Sequence, residues 1–266
     1  MLKLFTNEEL NINVIEIDLL KFLYSLTLNI ENDDFGIIAE SVYANEMCRK
    51  LIILTDHCED GKDEWAAMNL ANLTWFNEEF YDKLFQGTEL VDRLSKMLAS
   101  KKELFLLDIL TTVTNLIATN NSYRDKIFQD TELLMNLLFI IYNEDSEKLL
   151  ECALKTVYNI IRMVECDAVV TFCFKNVEML DLVLDKINTK RSIIVMLRIS
   201  QIVNQLFTIG DTYINKNPEY EDNVFIARVE NDERLFEQLI EAKNHKDSSV
   251  YLNFTHILIN YFDYQD

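Results

Sequence analysis

The sequence predicts an all-α protein assembled from repeated helical units, and three observations carry this prediction. The 266 residues include only four glycines and one proline, whereas glycine and proline together make up roughly 12% of an average protein. Similar segments return at intervals of 43–46 residues, a length typical of units with two or three helices. Apolar residues also recur at helical spacing, as Leu106, Ile109 and Leu110 do.

Composition and charge exclude several classes of protein. All-β folds, Rossmann sheets and P-loops need glycine-rich turns that this chain lacks. A net charge of −20 argues against nucleic acids and anionic membranes, since both require Lys and Arg, and it leaves basic proteins or peptides as partners. No apolar run approaches the roughly 20 residues of a membrane span.

The cysteines indicate the cellular location. Five cysteines without a CxxC pattern are typical of reduced core thiols, so we expect a cytoplasmic or nuclear protein.

The repeat is most visible in two nine-residue segments. Residues 82–90 read DKLFQGTEL and residues 125–133 read DKIFQDTEL, 43 positions later. Two further series follow the repeat, one of glutamates that begin shorter helices and one of asparagines on longer helices. Both series gain about ten residues at their last step, which places an insertion at 210–223. The series are Glu46, Glu89, Glu132, Glu178 and Glu233, and Asn69, Asn115, Asn159, Asn204 and Asn260.

Each unit is predicted to contain a long inner helix, a short helix or turn, and a middle helix such as 89–99. Each unit exposes apolar surface that only its neighbour can cover. We therefore expect residues 1–266 to form a single right-handed superhelical solenoid of five to six armadillo- or HEAT-like repeats. The predicted inner helices are 14–30, 63–77, 104–120, 147–164, 192–209 and 248–263.

The segment Trp65-Ala-Ala-Met-Asn69 and the stretch that follows Asn120 resemble armadillo-repeat proteins, and within them the importin-α group. The resemblance implies a groove in which asparagines bind the backbone of an extended nuclear-localisation peptide and tryptophan rings bracket its lysines. The basic autoinhibitory segment of that group has no counterpart before the predicted first helix.

The asparagine series also suggests a binding ladder on physical grounds. An asparagine side chain offers an acceptor and two donors, so it can pair with both sides of a peptide bond. In the alternative interpretation, these asparagines brace a neighbouring repeat through hydrogen bonds to its backbone. The candidate peptide- or partner-binding residues are Trp65, Asn69, Asn72, Asp108, Thr111, Asn115, Asn159, Asn204 and Asn260.

The predicted groove is mainly neutral, because most acidic residues fall on turns and outer helices. Lys155 and Arg162 would repel a basic peptide locally. Three non-enzymatic functions stay open: an importin-α-like transport adaptor that binds an extended basic peptide, a co-chaperone that exchanges nucleotide on the heat-shock ATPase, and a scaffold subunit of a larger assembly. The sequence contains no defensible catalytic or metal-binding spacing, so we expect no catalysis, cofactor or metal.

Overall fold

The helices lie where the apolar periodicity predicts them. The computed structural model describes residues 17–28, 44–55, 61–75, 85–87, 89–99, 103–119, 123, 126–127, 131–162 and 167–264. These residues are helical or in turns, with no strand among them. The helices are α1 (Ile17–Leu28), α2 (Ala44–Thr55), α3 (Lys62–Leu73), α4 (Leu90–Leu98), α5 (Glu103–Thr119), α6 (Thr131–Asn143), α7 (Glu147–Ile161), α8 (Asp167–Lys175), α9 (Met179–Leu184), α10 (Ile193–Lys216), α11 (Val224–Glu230), α12 (Glu233–Lys243) and α13 (Ser248–Phe262).

The chain divides into two compact units, Met1–Asn136 and Leu137–Asp266. In the first unit, α3 packs against α1 and α5, which makes these three the inner helices, and it also packs against α2. In the second unit, α10 packs against α7 and α13 in the same way, while α8, α9, α11 and α12 form the outer layer. In the second unit, each long inner helix, α7 and α10, is followed by two shorter helices before the next inner helix, in the predicted order of an inner helix, a short helix and a middle helix. The predicted short helices at 78–86 and 122–129 lie almost wholly outside the described residues.

Four helices of the second unit, α10 to α13, begin at side chains that cap them. Ser192 accepts a hydrogen bond from the backbone of α10, and Asn223, Asp232 and Asp247 do so for α11, α12 and α13. Each such cap accepts hydrogen bonds from backbone N–H groups that have no partner inside the helix, and it stabilises the helix by about 1 kcal/mol. In the first unit, α3 and α4 instead begin after left-handed residues, Gly61 and Glu89, with no side-chain cap.

The predicted insertion at 210–223 is in part a longer helix. The inner helix expected to end at 209 continues to Lys216, and the connection to α11 occupies 217–223. Tyr213 lies against Phe174 with ring centroids 3.9 Å apart, and Tyr220 packs edge-on against Tyr213 at 5.2 Å. Aromatic packing on α8 therefore holds this segment against the unit.

Gly210 permits the close approach of Asn223. A Cβ atom at position 210 would lie 2.0 Å from Asn223 Oδ1, closer than any non-bonded contact. Asn223 Nδ2 donates to Phe207 O and to Asp211 Oδ1, both at 2.8 Å. Its Oδ1 accepts from Phe225 N at 3.1 Å. One buried amide thus fastens the extended end of α10 to the start of α11.

Candidate functional site

Asn69 is entirely buried in the first unit. Its Nδ2 donates to Trp65 O at 2.7 Å on its own helix and to Leu20 O at 3.1 Å on α1. No donor among the described residues reaches its buried Oδ1. With no solvent-exposed surface, this side chain braces α3 against α1, as the alternative interpretation of the asparagine series expects.

Two more candidate asparagines of the first unit also bond to the preceding repeat. Asn115 is 8% exposed, and its Nδ2 lies 3.3 Å from Ala71 O and 3.4 Å from Thr74 Oγ1. Asn72 Nδ2 donates to Thr27 Oγ1 at 3.1 Å. In this unit the asparagines of the repeated series, Asn69 and Asn115, therefore form hydrogen bonds that connect consecutive inner helices.

Trp65 is half-buried and contacts groups of its own chain. Its ring packs edge-on against Tyr24 with centroids 5.6 Å apart. Lys21 Nζ lies 5.8 Å from the centroid of the indole ring, within the range of a cation–π interaction. An aromatic ring that the resemblance assigns to the lysines of a peptide thus already lies beside a lysine of α1.

The remaining candidates of the first unit lie on α5 and are half-buried. Thr111 Oγ1 donates to Leu107 O at 2.8 Å, one turn earlier on the same helix. The backbone carbonyl of Asp108 accepts from Thr112 Oγ1 at 2.9 Å. The hydroxyl of Thr111 is therefore engaged within its helix.

The same asparagine position is accessible in the second unit. Asn204 on α10 and Asn260 on α13 are exposed, and Asn159 on α7 is half-buried. Across the described ranges, none of these three side-chain amides forms a hydrogen bond. Because α10 lies between α7 and α13, the three side chains stand on consecutive inner helices. We call the exposed inner-helix surface around Asn159, Asn204 and Asn260 the amide face.

Sequence reasoning identified Lys155 and Arg162 but missed Tyr158, Arg198 and Lys148 beside the amide face. The Arg198 guanidinium lies 5.8 Å from the ring centroid of Tyr158, between α10 and α7. Arg198 also donates to Gln201 Oε1 at 2.8 Å. Lys148, which is exposed on α7, precedes Lys155 by seven residues, and this spacing could have indicated a shared helix face.

Two of the described cysteines are buried, and the described acidic residues form no metal-binding group. Cys48 and Cys173 are fully buried free thiols. Burial raises the pKa of the Cys48 thiol far above its usual range, and burial also raises that of Cys173 to about 12. Both thiols are therefore protonated and poor nucleophiles at neutral pH. Within the described part of the chain, no three His, Cys, Asp or Glu side chains gather where a metal could bind.

Helix α10 is long and apolar enough to cross a membrane, which the sequence interpretation did not anticipate. It has 24 residues, and its most apolar stretch has a mean hydropathy of 1.5. More than half of that stretch, 56%, is buried inside the protein. This is the pattern of a core helix, and the packing of α10 between α7 and α13 accounts for it.

Comparisons with solved structures agree with the helical order described above. A set of computationally designed armadillo repeat proteins for modular peptide recognition matches with a TM-score of 0.75 at 16% identity, over 98% of both chains. The designed armadillo repeat protein YIII(Dq)4CqI matches with a TM-score of 0.71 at 16% identity, over 97% of both chains. The designed protein YIII(Dq.V1)4CPAF in complex with peptide (KR)4 matches with a TM-score of 0.70 at 16% identity, over 98% of both chains.

No protein-family model matches the sequence, and no curated protein matches it. The structural likenesses, at low identity, establish the fold and extend over nearly the whole chain. The predicted fold class, an all-α armadillo-type solenoid, is thereby confirmed. The resemblance to the importin-α group, and the arrangement of 1–266 as one continuous solenoid, stay predictions from the sequence.

Proposed function

We propose that this protein is a non-enzymatic binding protein that holds an extended segment of a partner protein on the amide face. The observation that carries the proposal is the contrast in accessibility along the asparagine series. Asn204 and Asn260 are exposed and have no hydrogen-bond partner in the described residues, whereas Asn69 is sealed in the core. Only the accessible amides can pair with the backbone of a ligand.

The geometry of an armadillo repeat suits an extended ligand. Consecutive inner helices present one amide each, and an amide can both donate to and accept from a peptide group. Such pairing is independent of the ligand's side chains, so specificity must come from neighbouring residues. Two of the designed structural neighbours support this proposal, because one is described as recognising peptides and another is in complex with a peptide.

A narrower proposal, an importin-α-like adaptor in nuclear transport, rests on the Trp65–Asn69 resemblance. It requires that the extended segment be a basic localisation signal. Trp65 lies beside Lys21 and Asn69 is buried, so these two residues would have to separate from α1 before they could contact a peptide. A cytoplasmic or nuclear location accompanies both proposals, since the described cysteines are free thiols.

The test is a selection of extended peptides from a display library, followed by affinity measurements with variants. We expect the double substitution Asn204→Ala with Asn260→Ala to weaken the affinity for the selected peptides at least tenfold. The matched control is Asn231→Ala with Asn244→Ala, which removes two exposed amides at the ends of outer helices α11 and α12. Equal affinity of both variants for the selected peptides would overturn the proposal. Selection of lysine-rich sequences would support the adaptor.

A further inference from the structure

Three cations lie on one face of helix α7 and its C-terminal end, where Arg162 is the C-cap. Lys148, Lys155 and Arg162 are exposed and follow each other at intervals of seven residues. Seven residues are nearly two full helical turns, so the three side chains project from the same side over about 21 Å of helix. Asn159, one turn after Lys155 and one turn before Arg162, shares that side. The cations therefore border the amide face.

These cations are not used to hold the unit together. Elsewhere in the second unit, Arg191 and Arg228 form ion pairs with acids of the preceding repeat. The side chains of Lys148, Lys155 and Arg162 form no ion pair or hydrogen bond within the described ranges. Their charge is thus available to a ligand.

The neighbouring inner helices add little negative charge. Arg198 on α10 lies over Tyr158 of α7 and adds a fourth cation beside the others. Asp211 on α10 is exposed seven residues after Asn204, accepts a hydrogen bond from the neutral amide of Asn223 and keeps its negative charge. Residues 248–262 of α13 include no Asp or Glu, and Asp263, the exposed C-cap of α13, adds one negative charge. On α7 itself, Glu151 is half-buried between Lys148 and Lys155, so the balance beside the amide face is positive.

We propose that the extended segment bound on the amide face is acidic, with its carboxylates opposite α7. This inference rests on the proposed function, names the chemistry of its ligand, and excludes the narrower adaptor proposal, which requires a basic segment. In a chain of net charge −20, a locally positive face attracts a short acidic segment and orients it. A nucleic acid fits less well, because its phosphates would extend past this face to the acidic remainder of the surface.

The experiment compares three synthetic peptides by fluorescence anisotropy at low salt. Each contains four dipeptides, Ser-Glu, Ser-Gln or Ser-Lys, so that only the charge differs. We expect the Ser-Glu peptide to bind at least tenfold more tightly than the Ser-Lys peptide, and its affinity to fall as salt is added. The double substitution Lys155→Glu with Arg162→Glu should weaken the binding of the Ser-Glu peptide at least tenfold. The matched control, Lys175→Glu with Lys190→Glu, alters two exposed lysines that lie outside α7, on α8 and in the loop before α10. It should change the affinity for the Ser-Glu peptide less than twofold.

The outcomes separate this inference from the function on which it rests. If the Ser-Gln peptide binds through Asn204 and Asn260 and the Ser-Glu peptide binds no better, the acidic preference is wrong and the proposed function stands. If no peptide binds, both are wrong. Tighter binding of a single-stranded poly(U) oligonucleotide than of the Ser-Glu peptide, lost in the Lys155→Glu and Arg162→Glu variant, would overturn the choice of a protein partner.

Discussion

The two units of this protein use the same sequence position in different ways. In the first unit, Asn69 and Asn115 are buried and donate to the preceding inner helix. In the second unit, Asn204 and Asn260 stand exposed on α10 and α13. The difference teaches that a repeated residue identifies a repeated place in the fold, and that burial at each place decides whether the residue braces the neighbouring helix or stays accessible.

The contacts between consecutive repeats also differ between the two units: amide hydrogen bonds contribute in the first and ion pairs in the second. In the first unit they include amide hydrogen bonds, such as those from Asn72 to Thr27 and from Asn136 to Ser95 O. In the second unit they include ion pairs on the outer layer. Arg228 holds Asp181 with two contacts at 2.5 and 2.6 Å, and Arg234 pairs with Asp185. Among the described residues, ion pairs connect the outer helices there, whereas the side chains of Asn159, Asn204 and Asn260 form no hydrogen bond to a neighbouring helix.

The largest loss of stability is expected at Asn223, where an asparagine of the second unit braces the fold. Asn223 is a buried asparagine of the second unit that braces, and Gly210 makes room for it. Gly210→Ala would force Asn223 away from its partners, and overpacking of this kind costs about 3 kcal/mol. Urea denaturation measures the loss. Adding Asn223→Ala to the glycine substitution removes the clash, so the double variant should be destabilised by less than the two single changes add up to.

The next prediction compares the two units directly. Asn69→Ala leaves the buried carbonyls of Leu20 and Trp65 without this donor, which costs about 2 kcal/mol. Asn204→Ala alters an exposed side chain without a hydrogen-bond partner in the described residues, so its effect should stay within about 0.5 kcal/mol. Urea denaturation of the two variants measures both values. Equal losses would show that the asparagines have one role throughout the chain.

The smallest effect concerns pH. Burial raises the pKa of Glu147, but the hydrogen bonds from Arg191 and Ser192 outweigh it and leave the pKa below its ordinary value of 4.5. A carboxyl whose pKa is lowered by folding contributes stability above its unfolded pKa and loses it as pH falls through the folded value. We therefore expect the contact between α7 and α10 to weaken progressively below about pH 4.5.

Hydrogen exchange of α7 and α10 amides across this pH range measures the effect. In Glu147→Gln the acid-dependent part should be smaller, since the charge that titrates is gone. Glu151→Gln is the matched control, because Glu151 lies on the same helix without an ion pair in the described residues, and it should retain the wild-type dependence. An unchanged pH dependence in Glu147→Gln would contradict the assignment.

The apolar periodicity of the sequence was sufficient to predict where the inner helices lie but not where each of them ends. The inner helices at 103–119 and 248–262 lie within a residue of the predicted bounds, because apolar spacing reports the buried face directly. The end of α10 was missed by seven residues. Gly210 and the nearby polar residues indicated a break, whereas tertiary contacts of Asn223, Tyr213 and Phe174 hold the helix to Lys216.

The candidate site was predictable in position and not in accessibility. The spacing of the asparagines placed all of them on inner helices, as the structure confirms. Whether each amide is covered depends on residues of the preceding repeat, such as Leu20 beside Asn69, and these lie about 50 positions away with no local signal. The cations of α7 were visible in the sequence, but their lack of ion-pair partners required the positions of the acids on neighbouring helices.

The central claim is that the exposed asparagines of the second unit bind a ligand and contribute nothing to folding. The most direct measurement determines two quantities for the double variant Asn204→Ala with Asn260→Ala: its free energy of unfolding and its affinity for the selected extended peptides. The account predicts an unfolding free energy within about 1 kcal/mol of wild type and an affinity at least tenfold weaker. Unchanged affinity in a folded variant would contradict it.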